Sequence, residues 1–294
     1  MDNKNSYSLA KKTKEILKKH NIKLNKKLGQ HYLIDENKRK QILDFAYLDN
    51  KDIVLEIGPG IGTLTRDIAS KAKKVIAIEQ DPTIFNILSE NLKDLDNVEI
   101  INADALDIDF PYFNKIVSNL PYQISSPITF KFLDYDFDLA ILMYQKEFVN
   151  RMIADVSTKN YSRLAAMLHF KSDIEFLTNI SKESFFPKPK VDSALVRLSP
   201  AIDIEEISKD DYNNYGIFTK ALFQHKNKKL RNALIDSRHV LGYKDKKEIK
   251  EILNEITSKK LNDLLSQKVV GTYPEDILYL SKHLDYIIKS ENNG

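Results

Sequence analysis

The stretch Asn119-Leu120-Pro121-Tyr122 directly follows a short apolar run, Lys115-Ile116-Val117-Ser118, that reads as a buried strand. It offers an amide, an unused backbone carbonyl and an aromatic ring together. Pro121 fixes its own φ and pushes Leu120 out of the α region, so the turn is extended and no helix consumes the Leu120 carbonyl. The exocyclic amine of a nucleobase is a poor nucleophile because its lone pair is delocalised into the ring. Two acceptors placed about its hydrogens favour the pyramidal, nucleophilic form. Asn119 and Leu120 could supply those acceptors, and Tyr122 could stack on the base. Taken alone, the four residues also fit a plain Pro-containing turn after a strand.

The elements that must position them begin at residue 53. Ile53-Val54-Leu55-Glu56-Ile57 is an apolar strand but for Glu56, and it ends in Gly58-Pro59-Gly60-Ile61-Gly62 before a helix over 63–72. Further strands are predicted at 75–78, 98–101, 115–118 and 139–143, with helices between them at 82–93 and 127–133. A helix over 146–155 follows, then another at 163–170. The alternation predicts a parallel, doubly wound α/β sheet of Rossmann-like type. Two more strands, 174–180 and 193–198, could pair antiparallel at its edge, and from Ser208 onward helical patterns dominate. The chain therefore divides into a basic arm (1–25), a sheet domain (26–203) and a small all-α C-terminal domain (204–294).

In an open α/β sheet, ligands lie beyond the C-terminal ends of the strands. Gly58, Gly60 and Gly62 let backbone approach a ligand closely, and Glu79 and Asp104 each end a later strand, where a carboxylate can accept from ribose hydroxyls or an adenine amine. A dinucleotide fingerprint would need its third glycine at position 63, which is Thr63, so a pyrophosphate is not expected. S-adenosylmethionine carries no phosphate, and its sulfonium suits a site lined by acids. A nicotinamide oxidoreductase is disfavoured for the same reasons.

Taken together, Leu28-Gly29-Gln30-His31-Tyr32-Leu33, Glu56-Ile57-Gly58-Pro59-Gly60-Ile61-Gly62, Asn119-Leu120-Pro121-Tyr122, Gln145-Lys146-Glu147 and Phe186-Pro187-Lys188-Pro189-Lys190-Val191-Asp192-Ser193 resemble the rRNA adenine dimethyltransferases. The resemblance spans residues 26 to about 200, and His31-Tyr32 is similar to the archaeal and eukaryotic branch. It implies that His31, Leu33, Gly58, Glu79, Asp104 and Asn119 contact S-adenosylmethionine, with Gly60 in the same loop. It further implies that Asn119 and Leu120 hold the target amine, that Tyr122 and Phe186 sandwich the base, and that the C-terminal helices cradle RNA. The implied reaction is dimethylation of two adjacent adenosines in a 3′-terminal hairpin of small-subunit rRNA during ribosome biogenesis. A large-subunit rRNA methyltransferase would share these motifs. An assembly factor with dispensable catalysis and a small-molecule methyltransferase are further rivals.

Composition sets the remaining bounds. The 294 residues contain no cysteine and six scattered histidines, so disulfides and thiolate metal sites are excluded and no metal is expected. The formal net charge is only +3, but residues 1–29 hold nine lysines against Asp2 and Glu15. Lys220, Lys226, Lys228, Lys229 and Arg231 form a second, acid-free cluster that could face a polyanion such as rRNA in a small-subunit precursor. Without a membrane-length apolar run, a cytoplasmic location is expected, and the resemblance points to a monomer. Residues 1 to about 23 read as a polar, partly helical arm whose thin apolar stripe of Leu9, Thr13, Ile16 and Leu17 is expected to order only on binding.

Overall fold

The computed structural model describes residues 3–19, 31–201 and 207–291. Leu28-Gly29-Gln30, arm residues 20–25 and the expected boundary near residue 203 lie outside them. In chain order the elements begin with α1 (Asn3–Lys19), β1 (Tyr32–Leu33), α2 (Glu36–Ala46), β2 (Ile53–Ile57), α3 (Thr63–Ala69), β3 (Lys74–Glu79), α4 (Pro82–Leu92) and β4 (Val98–Asn102). There follow β5 (Lys115–Asn119), α5 (Ser125–Phe132), β6 (Leu139–Gln145), α6 (Lys146–Met152), α7 (Arg163–Leu168), β7 (Ser172–Ile180), β8 (Phe185–Phe186) and β9 (Ser193–Pro200). The last five helices are α8 (Lys209–Phe223), α9 (Leu230–Asp236), α10 (Lys246–Glu255), α11 (Lys259–Ser266) and α12 (Pro274–Glu291).

Seven strands form one sheet in the order β4-β3-β2-β5-β6-β9-β7. The first five run parallel, β9 pairs antiparallel with β6, and β7 pairs antiparallel with β9, the antiparallel edge pair that the sequence pattern anticipates. Central strands are covered on both faces, which is why β2 and β3 read as nearly unbroken apolar runs, whereas edge strand β4 alternates with exposed residues. The strand order reverses between β2 and β5, whose C-terminal ends carry the glycine loop and the Asn119 turn.

Local chemistry fixes the helix starts around this point. The Asp35 carboxylate caps α2 by accepting from the Asn37 and Lys38 amides at 3.0 and 3.1 Å. Asp81 caps α4 ahead of Pro82, accepting from the Thr83 amide at 2.9 Å. One pairing escapes the periodicity: Tyr32 and Leu33 pair antiparallel with Phe186 and Phe185, so the motif that opens at Phe186 begins in a two-residue strand tied to the first motif.

Two compact units are present, Met1–Val149 with Ser172–Pro200, and Asn150–Lys171 with Ala201–Gly294. Residues 150–171 thus pack with the C-terminal helices rather than with the sheet domain in which the linear pattern places them. Tyrosine hydroxyls, two of them on buried rings, explain the difference. The Tyr215 hydroxyl donates to the Ala166 carbonyl at 2.7 Å, Tyr212 to Met167 at 2.8 Å, and Tyr161 to Thr272 at 3.1 Å. The first two bonds satisfy carbonyls at the end of α7 that no further helical turn serves.

The second basic cluster is largely spent inside its own unit. Lys228 pairs with Asp236 at 2.7 Å, Arg231 donates to the Leu253 carbonyl at 3.0 Å, and Lys226 donates to the Lys159 carbonyl at 2.9 Å. Lys220 and Lys229 remain exposed.

Candidate active site

One cavity opens at the C-terminal ends of β2, β3, β4 and β5, and His31, Leu33, Gly58, Gly60, Glu79, Asp104, Asn119, Leu120 and Tyr122 all line it. Phe186 is not among the lining residues. It stands beside the cavity, half-buried, opposite Tyr32 in the β1–β8 pair.

The glycine loop is built for close approach. Gly58 and Gly60 have φ of 68° and 59°, where side chains with a Cβ are strained. A Cβ on Gly60 would stand 2.7 Å from the Tyr32 ring, and one on Gly58 3.1 Å from the Pro121 ring. The loop is held by an acid from the next strand. Glu79, 8% exposed, accepts from the Gly60 amide at 3.3 Å and from the Asp81 amide at 2.9 Å. Burial raises the Glu79 pKa, and these backbone amides offset part of that rise. Asp104 is oriented by the Gln80 amide at 2.6 Å and the Leu106 backbone at 2.9 Å.

At the other end of the cavity, Asn119 makes one decisive contact. Its Nδ2 donates to the His31 carbonyl at 3.1 Å. A carbonyl only accepts, so the amide is oriented and Oδ1 is turned away from that bond. Pro121 has φ −59° and ψ 125°, keeping the turn extended, and among the described residues no group donates to the Leu120 carbonyl. The Tyr122 hydroxyl shares a 2.6 Å hydrogen bond with Ser193. Its ring lies 6.0 Å from the His31 ring at an interplanar angle of 30°, and His31 Nδ1 donates to the Pro187 carbonyl at 2.7 Å. His31 therefore links the Asn119 turn to the loop bearing Phe186.

Three lining residues carry chemistry that the sequence pattern did not single out. Gln80 orients Asp104, and Tyr32 presses its ring on Gly60 while its hydroxyl is buried without a partner. Glu56, 2% exposed, keeps Oε2 buried and unpartnered. Burial pushes its carboxyl up to about 8, with the charges of Glu79 and Asp67 adding to the rise. In the sequence Glu56 is marked by the break it makes in an apolar strand and by its place at the head of the glycine-loop motif, neither of which assigns it a role.

The Glu56 titration has a testable sign. Below about pH 4.5 its carboxyl is neutral in both folded and unfolded chains and has no effect on folding. As pH rises from there to about 8 the unfolded chain ionises while the folded one stays protonated, so stability falls; above that it levels off. Glu56→Gln should therefore gain on the parent progressively between about pH 5 and about pH 9, by on the order of a few kcal/mol at the upper end. Denaturant midpoints at the two pH values read this difference, and an equal offset at both would contradict it.

The donor set tests which cofactor fits. Among the described residues no Lys or Arg lines the cavity, whereas the acids Glu79 and Asp104 do, with Glu56 beside them in its neutral form. Such a lining does not suit a pyrophosphate and does suit a cationic, phosphate-free nucleoside. A doubly wound sheet with this cavity at its switch point defines a Rossmann-like, S-adenosylmethionine-dependent methyltransferase.

Comparison with known proteins narrows the class. The family model for ribosomal RNA adenine dimethylase matches residues 21–273. A protein of Methanothermobacter thermautotrophicus named probable ribosomal RNA small subunit methyltransferase A is 47% identical over 279 residues, covering 94% of this chain and 97% of that one. Its namesake in Methanosphaera stadtmanae is 50% identical over 275 residues, covering 93% and 98%. Among solved structures, a dimethyladenosine transferase from Plasmodium falciparum aligns with TM-score 0.69 and 28% identity over 86% of this chain and 97% of that one. The 23S rRNA methyltransferase ErmE aligns with TM-score 0.61 and 28% identity over 86% and 99%. The chain belongs to the ribosomal RNA adenine dimethylase family.

Proposed function

We propose that this enzyme dimethylates the exocyclic amine of adenosines in small-subunit rRNA, two adjacent ones in a 3′-terminal hairpin, and that it acts as a cytoplasmic monomer on a precursor of the small subunit. The observation that carries the chemistry is the Asn119 amide. Because Nδ2 is committed to the His31 carbonyl at 3.1 Å, Oδ1 is left as an acceptor next to the Leu120 carbonyl.

His31, Leu33, Gly58, Gly60, Glu79, Asp104 and Asn119 would hold S-adenosylmethionine, which when bound supplies an electrophilic methyl group. Asn119 Oδ1 and the Leu120 carbonyl accept the two hydrogens of the target amine and bias its nitrogen toward a pyramidal form. Reaction needs the nitrogen in line with the methyl, a geometry that these two oxygens set. The amine becomes cationic on gaining the methyl, the same oxygens stabilise that charge, and its proton then passes to water. A second round follows when the monomethylated base occupies the same place.

An adenine must leave its surroundings to reach this site, and stacking offsets that cost. Tyr122, held by Ser193 at 2.6 Å, offers one ring, and Phe186 is proposed as the other face. Stacking contributes roughly 1–3 kcal/mol per base, so Tyr122→Ala and Phe186→Ala should each lower kcat/KM for RNA by about 10- to 100-fold while leaving cofactor affinity within about twofold. Single-turnover transfer with titrated RNA separates the two effects. Full activity in both variants would rule out the sandwich.

Acceptor choice is tested by offering undermethylated small subunits, large subunits and free RNA in parallel with labelled S-adenosylmethionine. The archaeal relatives named for the small subunit support that acceptor over the 23S rRNA for which ErmE is named. Label entering large subunits alone would overturn the choice.

A further inference from the structure

The N-terminal arm, expected to order only on binding, contains a seventeen-residue helix already seated beside the cavity. Leu9, Thr13 and Leu17 are buried, and Leu17 joins Ile16 in an apolar cluster with Tyr32, Ile61 and Ile87. Tyr32 lines the cavity, so the anchor of α1 packs against its wall. The helix's outward chemistry is different. Lys11, Lys14 and Lys18 are exposed, and at i, i+3 and i+7 they lie along one face of α1. The sole acid on this stretch, Glu15, lies 3.9 Å from Lys11 with both side chains about two-thirds exposed, a pairing weak enough to yield to a phosphate. Lys14 Nζ stands 5.0 Å from the centroid of the Phe186 ring.

From this placement we propose that α1 is an RNA-gripping helix of the catalytic unit, whose Lys11–Lys14–Lys18 stripe holds the phosphate backbone next to the nucleotide drawn into the cavity. The inference rests on the RNA substrate proposed above. A backbone leading to a base against Phe186 must pass within reach of Lys14, and three cations spaced over two helical turns match a run of phosphates. Hydrophobic seating of Leu17 gives the stripe a fixed position relative to the reacting groups, which a loose basic arm would lack.

The test replaces Lys11, Lys14 and Lys18 by Gln together, with the triple Arg replacement as the charge-retaining control. Binding of undermethylated small-subunit RNA is measured across a salt series, together with cofactor affinity in the absence of RNA. Each lost phosphate contact removes roughly 0.7–0.9 from the slope of log affinity against log salt, so the triple Gln protein should lose about two units of slope. Its RNA affinity at about 0.1 M salt should fall about 10- to 100-fold, with cofactor affinity unchanged and the Arg protein near the parent. An unchanged slope would overturn the proposal, and so would tighter RNA binding, which would make α1 a cover over the site. Methyl transfer by the parent protein to the same RNA is run alongside. Its absence would defeat the substrate reading, whereas its presence with an unchanged slope would defeat only the role of α1.

Discussion

Asn119→Ala should lower kcat by about 10²- to 10³-fold, the usual effect of deleting one preorganised polar group at a reacting centre. Two functions are lost together. The acceptor Oδ1 disappears from beside the target amine, and the Nδ2 bond to the His31 carbonyl at 3.1 Å disappears with it. Asn119→Asp separates them, because it keeps acceptor oxygens but cannot donate to a carbonyl. It should also hold back turnover, through a His31 segment no longer tied to the turn. Both variants should unfold within about 1 kcal/mol of the parent, since Asn119 is half-buried at a strand end and fills no core space. Single-turnover rates and denaturant curves for both proteins check this, and normal turnover in the Ala variant would remove Asn119 from the chemistry.

Gly60→Val should abolish cofactor binding at ordinary concentrations, with affinity down roughly 100-fold or more, about 2.7 kcal/mol. The φ of 59° alone costs a branched residue about 1–2 kcal/mol. A Cβ there would also meet the Tyr32 ring at 2.7 Å, and that ring is 7% exposed and cannot retreat freely. Moving either group disturbs the amide that Glu79 accepts at 3.3 Å. Gly242→Val is the control, since its φ of 90° is equally strained but no atom lies within 4 Å of its Cβ position. It should cost stability and leave cofactor affinity intact. Calorimetric titration of both proteins with S-adenosylmethionine distinguishes strain from obstruction.

What could be read from the sequence alone follows from which interactions are local. The parallel sheet was legible because β2 and β3 are buried on both faces and tolerate few polar residues. The polar strand ends were legible too, since a carboxylate after an apolar strand has few structural uses. Contacts across large sequence separations left no such trace. The Asn119–His31 bond spans 88 residues, the Tyr122–Ser193 bond 71, and nothing in either neighbourhood announces its partner. The same reason hides the packing of residues 150–171 with the C-terminal helices, where single tyrosine hydroxyls reach across the unit. For the arm, three buried residues, Leu9, Thr13 and Leu17, suffice to seat a helix whose other faces are polar, and composition alone weighs the lysines more heavily than the anchor.

The central claim is that the Asn119 and Leu120 oxygens present an adenosine amine of small-subunit rRNA for two successive methylations. The measurement that addresses it most directly is nucleoside mass analysis of small-subunit rRNA after single-turnover and extended reaction with the parent protein and with Asn119→Ala. N6-monomethyladenosine appearing first and N6,N6-dimethyladenosine replacing it, at adjacent positions and only with the parent protein, is the predicted result. Methyl groups on another atom or another base, or dimethyladenosine formed equally well by the Ala variant, would contradict it.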